Sequence, residues 1–200
     1  MQEPACNAYL DNAATTPVID EAIEAMNDVL RHAWGNPSSS HRVGYAAKEV
    51  LEQSRATIAE CLGVDADEVF FTSGATEANN LAVRGACMAR KSESRRIVTS
   101  SLEHASVTRS VRGMRREGWD VEHIEDVAGD FDMEQLHRAL LKPTMLISVM
   151  RVQNELGWLL PVPEIVAARD ELAPSALVHC DATQSFGKLS TPPRDWGVDL

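Results

Sequence analysis

The sequence predicts an α/β fold with a mostly parallel central sheet and helices on both faces of that sheet. Helical and strand-like hydrophobic periods alternate along most of the 200-residue chain. Strands separated by helices pair in parallel through right-handed crossovers, which lay the helices against the sheet. Apolar residues make up 44% of the chain, which is enough for a packed core.

The first predicted elements are two helices, a short strand and a third helix. Pro17 precedes a helix, and Gly63 closes a second helix over about 43–62. The apolar run 69–72 predicts a strand, and residues 76–89 predict the third helix. The first helix is expected to carry its apolar face on Val18, Ala22, Met26, Val29, Leu30 and Ala33. The third is expected to turn inward Leu81, Ala82, Gly85 and Ala86.

The remaining elements continue the alternation. The predicted strands cover 96–100, 119–125, 144–150 and 176–180. The predicted helices cover 105–117, with Val107, Val111 and Met114 on the inner face, 132–141, and a segment opening at Pro163. Asp132 and Gln135 have the spacing of an N-terminal capping pair. Residues 197–200 resemble the beginning of another strand.

Composition excludes several classes of function. The net charge of -11 argues against nucleic acid or an anionic membrane as a partner. No apolar run is long enough to span a bilayer, and the N-terminus lacks a secretory signal pattern. The four cysteines show no CxxC spacing, which predicts a reducing compartment and neither a metal site nor a disulfide framework. We therefore expect a cytoplasmic protein without a bound metal.

Ligands of parallel sheets bind beyond the carboxyl ends of the strands, so the residues there are the candidate site residues. After 69–72, Gly74 and Thr76 stand where a helix begins, and a helix N-terminus favours a phosphate. A capped strand-to-helix connection explains this turn alone more simply. The turn matches neither a Walker loop nor a GxGxxG fingerprint, so a nucleotide is poorly supported.

Three further polar residues follow strands on the same side. His104 could stack on a flat aromatic ligand or shuttle a proton, although a lone histidine is more often a surface or core residue. Asn154 could bond a phenolic oxygen or a carboxylate, or simply favour a turn. Asp181 needs a cationic or donor partner if it is buried, and the pyridinium nitrogen of pyridoxal 5'-phosphate would be one. Together with the phosphate turn, these residues are complementary to that one cofactor.

Six segments then identify a resemblance to the cysteine desulfurases, which are class V, fold-type I pyridoxal-phosphate enzymes. In chain order they are LDNAATTP (10–17), GNPSSSHRVG (35–44), FTSGATEANNLAVRGA (71–86), SLEHASV (101–107), VQNELG (152–157) and HCDATQSFGK (179–188). The resemblance implies a cofactor site in which Ala75 and Thr76 hold the phosphate. It also implies that His104 stacks on the ring and assists proton transfer, that Asp181 pairs with the pyridinium nitrogen, and that Gln184 bonds the ring hydroxyl.

The resemblance also implies the substrate side of the site. Asn154 would lie near the ring hydroxyl and the substrate carboxylate, and Asn12, Ala13 and Asn36 would belong to substrate-side loops. At 151–157 the commoner family pattern has His and Asn where this chain has Arg151 and Gln153, which is expected to alter substrate or partner contacts only.

The resemblance further implies that residues 1–15 form an N-terminal segment with a substrate-side loop, and that 16–200 form an incomplete cofactor-binding large domain. The family's Schiff-base lysine, small C-terminal domain and nucleophilic cysteine are expected beyond Leu200. Lys188 matches a different family position, and none of the four cysteines matches the nucleophile.

The implied activity is desulfuration of L-cysteine to L-alanine, with persulfide sulfur passed to an acceptor or scaffold protein for iron–sulfur cluster or thio-cofactor assembly. The intact protein would be a homodimer. Two alternatives stay open: an inactive truncated or split module that acts by cofactor binding or subunit interaction, and a selenocysteine lyase or another class V lyase or aminotransferase.

Overall fold

A computed structural model describes residues 8–90, 94–127, 130–189 and 193–200. The chain divides into two compact units, one that runs to Val69 and one that begins at Phe70. The division at residues 15 and 16 that the sequence predicts stays a prediction. In the described residues, no helix is both long enough and apolar enough to cross a membrane.

The first unit contains two helices and a 3-10 turn. Helix α1 spans Asp20–His32, helix α2 spans Arg42–Leu62, and the turn covers Ala66–Glu68. The α2 prediction is confirmed, since Gly63 ends it with φ 74° and donates its N–H to the carbonyls of the last turn. The position of α1 is also confirmed, but none of its residues is buried, so the predicted apolar face faces no core within its own unit.

The second unit is built on a four-stranded parallel sheet with the order β2-β1-β5-β6. Its strands are β1 (Arg96–Ser100), β2 (Asp120–Ile124), β5 (Leu146–Met150) and β6 (Leu177–Asp181). The short strands β3 (Asp126–Val127) and β4 (Asp130–Phe131) pair antiparallel as a separate ribbon. The helices are α3 (Ala75–Ala89), α4 (Ala105–Arg116), α5 (Met133–Leu140) and α6 (Val162–Leu172), and a 3-10 turn covers Pro193–Trp196.

Helices cover both faces of this sheet. Successive side chains of a strand point to opposite faces, so each strand supplies both cores. Ile97 and Leu146 pack with α3 and α4, whereas Val98, Ile147 and Val178 pack with α5 and α6. Strands β1 and β5 are buried at every position, as central strands of a parallel sheet are. The predicted α/β fold is confirmed.

Two local predictions are wrong. Residues 69–72 form no strand, and the exposure of Phe70 is 74%, because a strand requires a neighbouring strand and the sheet of the described residues does not extend there. The inward face of α3 is also misplaced by the sequence pattern. Leu81 is exposed, and the buried residues are Asn79, Val83 and Cys87, which recur every four residues.

The structure adds detail to the sequence prediction at the N-terminus of α5 and at residues 197–200. Asp132 caps α5, since its carboxylate accepts the N–H of Gln135 at 2.7 Å, but the side chain of Gln135 turns to Glu125 and His123 instead of completing the reciprocal pair. Residues 197–200 form no assigned strand. Leu200 nevertheless donates to the carbonyl of Val178 at 3.1 Å and accepts from the N–H of Cys180 at 2.9 Å, the bonding pattern of one parallel ladder step.

A buried arginine fixes the other end of the sheet, where the strands begin. The guanidinium of Arg96 contacts Asp120 at 3.1 Å and also bonds Glu122, both on β2. It donates to the carbonyl of Ala139 at 2.7 Å and to the hydroxyl of Thr144 at 2.8 Å. One side chain therefore ties β1 to β2, to the end of α5 and to the segment that enters β5.

We predict that Arg96→Ala destabilises the chain by about 3 kcal/mol, because it leaves buried acceptors without their donor and opens a cavity. Urea denaturation of the wild-type chain and the variant measures this loss. Arg95 is exposed and adjacent, so Arg95→Ala is the matched control and should change the free energy of unfolding by less than about 0.5 kcal/mol. Equal losses in the two variants would contradict the assignment.

Candidate functional site

The carboxyl ends of β1, β5 and β6 lie side by side, and the site is built from the residues found there. Met150 and Asp181 are register partners, and the N–H of Arg151 donates to the carbonyl of Asp181 at 3.0 Å. Asp181 is the last residue of β6 rather than the first residue after it, which shifts the predicted strand end by one position. Val178 faces α5 and α6, and side chains three positions apart on a strand point to opposite faces of the sheet. The side chain of Asp181 therefore faces α3 and α4.

Asp181 is a buried carboxylate with two sets of donors. Asn79 on α3 donates from Nδ2 to Oδ2 at 2.8 Å, and the N–H of Thr183 donates to Oδ1 at 3.0 Å. Burial of the carboxyl opposes ionisation, but the hydrogen bonds from Thr183 and Asn79 outweigh it and hold the pKa of Asp181 below its usual value. Asp181 is therefore ionised at neutral pH.

The same amide of Asn79 leads to His104. Its Nδ2 also donates to the hydroxyl of Ser106 at 2.9 Å, and that hydroxyl lies 2.8 Å from Nδ1 of His104. The N–H of Ser106 approaches the same Nδ1 at 3.2 Å, so His104 caps the N-terminus of α4. His104 itself is exposed. The structure thus brings His104 and Asp181 into one network, and their shared role in binding a cofactor stays a prediction.

A second carboxyl, Glu103, stands at this edge. Its Oε1 accepts from the hydroxyl of Ser100 and from the N–H of Met150, which joins the ends of β1 and β5. Its Oε2 is buried and finds no hydrogen-bond partner among the described residues. Burial raises the pKa of Glu103 to about 8, the two hydrogen bonds oppose that rise, and the charge of Asp181 adds to it.

His179 on β6 is buried, whereas His104 is exposed. Its Nδ1 is 2.9 Å from the hydroxyl of Ser148, and burial lowers the pKa of His179 to about 4. The ring is therefore neutral at pH 7 and belongs to the packing between β5 and β6.

The N-terminus of α3 lies in the same unit, four residues before Asn79. Gly74 precedes it with φ 154°, a conformation that favours glycine, and a Cβ there would meet no atom within 4 Å. Ser73 donates both its N–H, at 2.7 Å, and its hydroxyl, at 2.6 Å, to Glu77. Both donors of Ser73 are thus already bonded within the turn. The predicted contacts to a phosphate are those of Ala75 and Thr76, the first two residues of α3.

Two other predicted site residues occupy turns after β5 and β6. Asn154 is half-buried in the turn that follows β5. Gln184 lies in the turn after β6, and its side-chain oxygen accepts from Nζ of Lys188 at 2.9 Å. Lys188 is exposed, and its interpretation as a residue other than the covalent anchor stays a prediction.

Asn12, Ala13 and Asn36 belong to the first unit. Asn12 and Ala13 lie in a turn closed by the N–H of Ala14 on the carbonyl of Asp11 at 3.1 Å. The side chain of Asn36 accepts the N–H of Ser38 at 2.9 Å, which shapes the turn before α2. Their predicted substrate-side role stays a prediction.

The two residues at which the chain departs from the commoner pattern have structural contacts. Gln153 is buried, and its Oε1 accepts the N–H groups of Glu155 and Leu156, both at 2.6 Å. The guanidinium of Arg151 lies 5.3 Å from the centre of the Trp196 ring, and it also bonds the carbonyl of Leu160. Both side chains thus shape the turn after β5. In the described residues, no group of three or more metal-ligating side chains converges.

Comparison of this chain with known proteins identifies its family. The model of the aminotransferase class-V family matches residues 8–200. The chain belongs to this family.

Curated relatives of similar sequence are named cysteine desulfurase or NifS/IcsS homolog. The chain is 37% identical over 193 residues to the cysteine desulfurase IscS of Dictyoglomus turgidum, an alignment that covers 96% of this chain and 48% of the relative. It is 41% identical over 181 residues to a NifS/IcsS protein homolog of Lactobacillus delbrueckii, covering 90% of this chain and 47% of the relative. The chain spans about half the length of the curated relatives it matches.

Solved structures of aminotransferase class-V relatives share the fold. A NifS-like protein superposes with a TM-score of 0.90 at 33% identity, over 94% of this chain and 52% of the other. SspA in complex with cysteine superposes with a TM-score of 0.88 at 34% identity, over 96% of this chain and 55% of the other. The predicted resemblance to the cysteine desulfurases is confirmed.

Sequence reasoning missed three residues of the site. Asn79 and Ser106 belong to the network, and Glu103 lies beside it at the ends of β1 and β5. A signal for Asn79 was available: it stands four residues before Val83 and eight before Cys87, so it shares their buried face. A polar residue on a buried face needs a partner, and here the partners are Ser106 and Asp181.

We predict that Glu103→Gln removes a pH dependence from the stability of the chain. The pKa of Glu103 rises from 4.5 to about 8 on folding, so its stabilising contribution is complete below 4.5 and is lost as the pH rises through 8. Between these values the free energy of unfolding should fall with a slope approaching about 1.4 kcal/mol per pH unit. Glutamine stays neutral, so the variant should gain stability relative to wild type across this interval.

Denaturant titrations at pH 5, 6.5 and 8, chosen within the interval, measure the difference between the two proteins. Subtracting wild type cancels the titrations of Asp181 and His179 to first order. Glu155→Gln removes an exposed carboxylate from a neighbouring turn and is the control. A constant difference between Glu103→Gln and wild type from pH 5 to 8 would show that Glu103 is ionised throughout.

Proposed function

We propose that this chain forms the pyridoxal 5'-phosphate site of a cysteine desulfurase. The observation that carries the proposal is Asp181, a buried carboxylate kept ionised at the carboxyl edge of a parallel sheet. A buried anion of this kind suits a cationic ring nitrogen. Membership of the aminotransferase class-V family and the similarity to proteins named cysteine desulfurase support it.

The residues present fit this cofactor. Asp181 accepts one hydrogen bond at each oxygen from Asn79 and Thr183, and a carboxylate has further lone pairs for a ring N–H. Open space in front of Gly74, at the N-terminus of a 15-residue helix, suits a phosphate. His104 is exposed in the same network and offers a planar ring for stacking.

In this proposal each side chain has a separate task. Ala75 and Thr76 hold the phosphate, and Asp181 holds the ring nitrogen protonated. His104 stacks on the ring and takes part in proton transfer. Gln184 bonds the ring hydroxyl, and Asn154 lies near that hydroxyl and the substrate carboxylate. Asn12, Ala13 and Asn36 are proposed to contribute from the substrate side. When bound, the cofactor supplies an electron sink for the substrate carbanion.

The proposed overall reaction is L-cysteine plus an acceptor thiol to L-alanine plus a persulfide. The C–S bond of cysteine breaks, an S–S bond forms on the acceptor, and the acceptor's thiol proton balances the new C–H bond of alanine. The structure of SspA in complex with cysteine supports cysteine as the substrate class. Persulfide sulfur would pass to an acceptor or scaffold protein for iron–sulfur cluster or thio-cofactor assembly.

The buried Cys87 and the half-buried Cys180 are poor candidates for the attacking thiolate. Burial raises the pKa of Cys87 and of Cys180 to about 12, so both thiols stay protonated at neutral pH. Cys61 is exposed, but it lies on α2 in the first unit. We therefore do not propose Cys61, Cys87 or Cys180 as the nucleophile of the reaction.

A homodimer and a cytoplasmic location complete the proposal. Family membership and the exposed apolar side chains Ile23, Met26, Leu30 and Trp34 of the first unit support self-association. Sedimentation velocity over a range of protein concentrations tests the dimer.

We predict that Asp181→Asn weakens the binding of pyridoxal 5'-phosphate by roughly 10- to 100-fold, the value of one charge-assisted hydrogen bond. Asparagine keeps the size of the side chain but removes the charge that favours the ring cation. Isothermal titration calorimetry of the chain with the cofactor measures the dissociation constants. Asp170→Asn, an exposed aspartate on α6, is the matched control and should bind as wild type does. Equal affinity of Asp181→Asn and wild type would contradict the proposed role.

The activity itself is tested on the product of the complete reading frame, loaded with pyridoxal 5'-phosphate. We expect alanine to be released from L-cysteine in proportion to persulfide formed on the protein. Release of alanine from selenocysteine but not from cysteine would instead favour a selenocysteine lyase.

A further inference from the structure

Four side chains form a continuous hydrogen-bonded chain across the second unit, from Asp181 through Asn79 and Ser106 to His104. The heavy-atom distances along it are 2.8, 2.9 and 2.8 Å. Asn79, Ser106 and Asp181 are buried, and only the imidazole at the end reaches the surface. The direction in which each hydrogen bond points can be deduced from the chemistry of the members.

The direction is set at Asp181. An ionised carboxylate can only accept, so the group of Asn79 that faces it must be the NH₂ and not the carbonyl oxygen. The same NH₂ has a second hydrogen, which it donates to the hydroxyl of Ser106. The hydroxyl of Ser106 thus accepts from Asn79, and its own hydrogen is free to point at Nδ1 of His104.

The backbone of Ser106 decides the last step. Its N–H is directed at the same Nδ1, and a backbone N–H can only donate. Nδ1 of His104 must therefore offer a lone pair, so it carries no proton in the neutral ring. The proton of the neutral imidazole lies on Nε2, the nitrogen on the far side of the ring from this network.

We propose that Asn79 and Ser106 are positioning residues that hold the imidazole of His104 in the Nε2–H tautomer and orient its N–H toward the ligand side of the site. His104 then meets a ligand as a hydrogen-bond donor. A further proton can enter only at Nδ1, where it would displace the two donors of Ser106. In terms of the proposed function, on which this consequence rests, His104 offers the bound ligand a hydrogen-bond donor at Nε2.

The tautomer is measured directly by long-range nitrogen–proton NMR correlation on the chain labelled with nitrogen-15, without cofactor. We expect the Nε2–H pattern for His104 in the wild type. Ser106→Ala removes the hydroxyl donor and should lower the ratio of Nε2–H to Nδ1–H tautomer by roughly fivefold, the value of one neutral hydrogen bond. Asn79→Ala should lower the ratio in the same direction, because the Ser106 hydroxyl is no longer held with its hydrogen toward His104.

The chain provides a matched control on the same helix. Ser110 is as buried as Ser106, but its hydroxyl has no hydrogen-bond partner among the described residues. Ser110→Ala should therefore leave the His104 tautomer unchanged, and Ser106→Thr, which keeps a hydroxyl, should restore the wild-type ratio. The dispersion of the amide spectrum verifies that each variant is folded, and Ser106→Ala carries the test if Asn79→Ala fails to fold.

Two outcomes would overturn the proposal: an Nδ1–H tautomer in the wild-type chain, or a Ser106→Ala ratio equal to that of wild type. Neither outcome depends on cofactor binding. Failure of this proposal is thus distinguishable from failure of the proposed function, which the calorimetric titration with pyridoxal 5'-phosphate tests separately.

Discussion

The site depends on one hydrogen bond, from the amide of Asn79 on α3 to the carboxylate of Asp181 at the end of β6. Together with the donors of Thr183 it keeps a buried carboxylate ionised, it ties a helix to the edge of the sheet, and it sets the direction of the bonds that reach His104. Removal of the amide would leave Asp181 buried with fewer donors, which favours its protonated form. Charge, geometry and the state of the imidazole are therefore coupled through a single side chain.

The sequence predicted the fold well where a local pattern decides it. The strand Arg96–Ser100 and the helices α2 and α4 lie where hydrophobic period and capping residues indicated, within about a residue at each end. The strand prediction at 69–72 failed because pairing is a property of two segments, and an apolar run carries no information about its neighbour. The inner face of α3 was misplaced because an apolar Leu81 was preferred to a polar Asn79, whose burial depends on partners 27 and 102 residues away.

The candidate site shows the same division between local and distant information. Asp181 and His104 could be selected because they follow strands in a parallel sheet, where ligands bind. The burial of Asn79 has a local signal, but its role, like those of Ser106 and Glu103, arises from contacts between elements that only the folded chain brings together. Gln153 and Arg151 illustrate the same point. Both differ from the commoner family pattern, and the folded chain shows that they contact the turn after β5 and Trp196.

Two carboxyl groups at one sheet edge are driven to opposite protonation states, and the hydrogen bonds explain why. Asp181 receives donors at both oxygens, whereas Glu103 receives them at one oxygen and buries the other unpartnered. The charge of Asp181 further discourages ionisation of Glu103. The edge therefore carries one negative charge rather than two, at the residue proposed to bind a cationic ring nitrogen, while the neutral Glu103 holds β1 and β5 together. A second ionised carboxyl there would compete with Asp181 for the same cation, so the neutrality of Glu103 is as much a part of the site as the charge of Asp181.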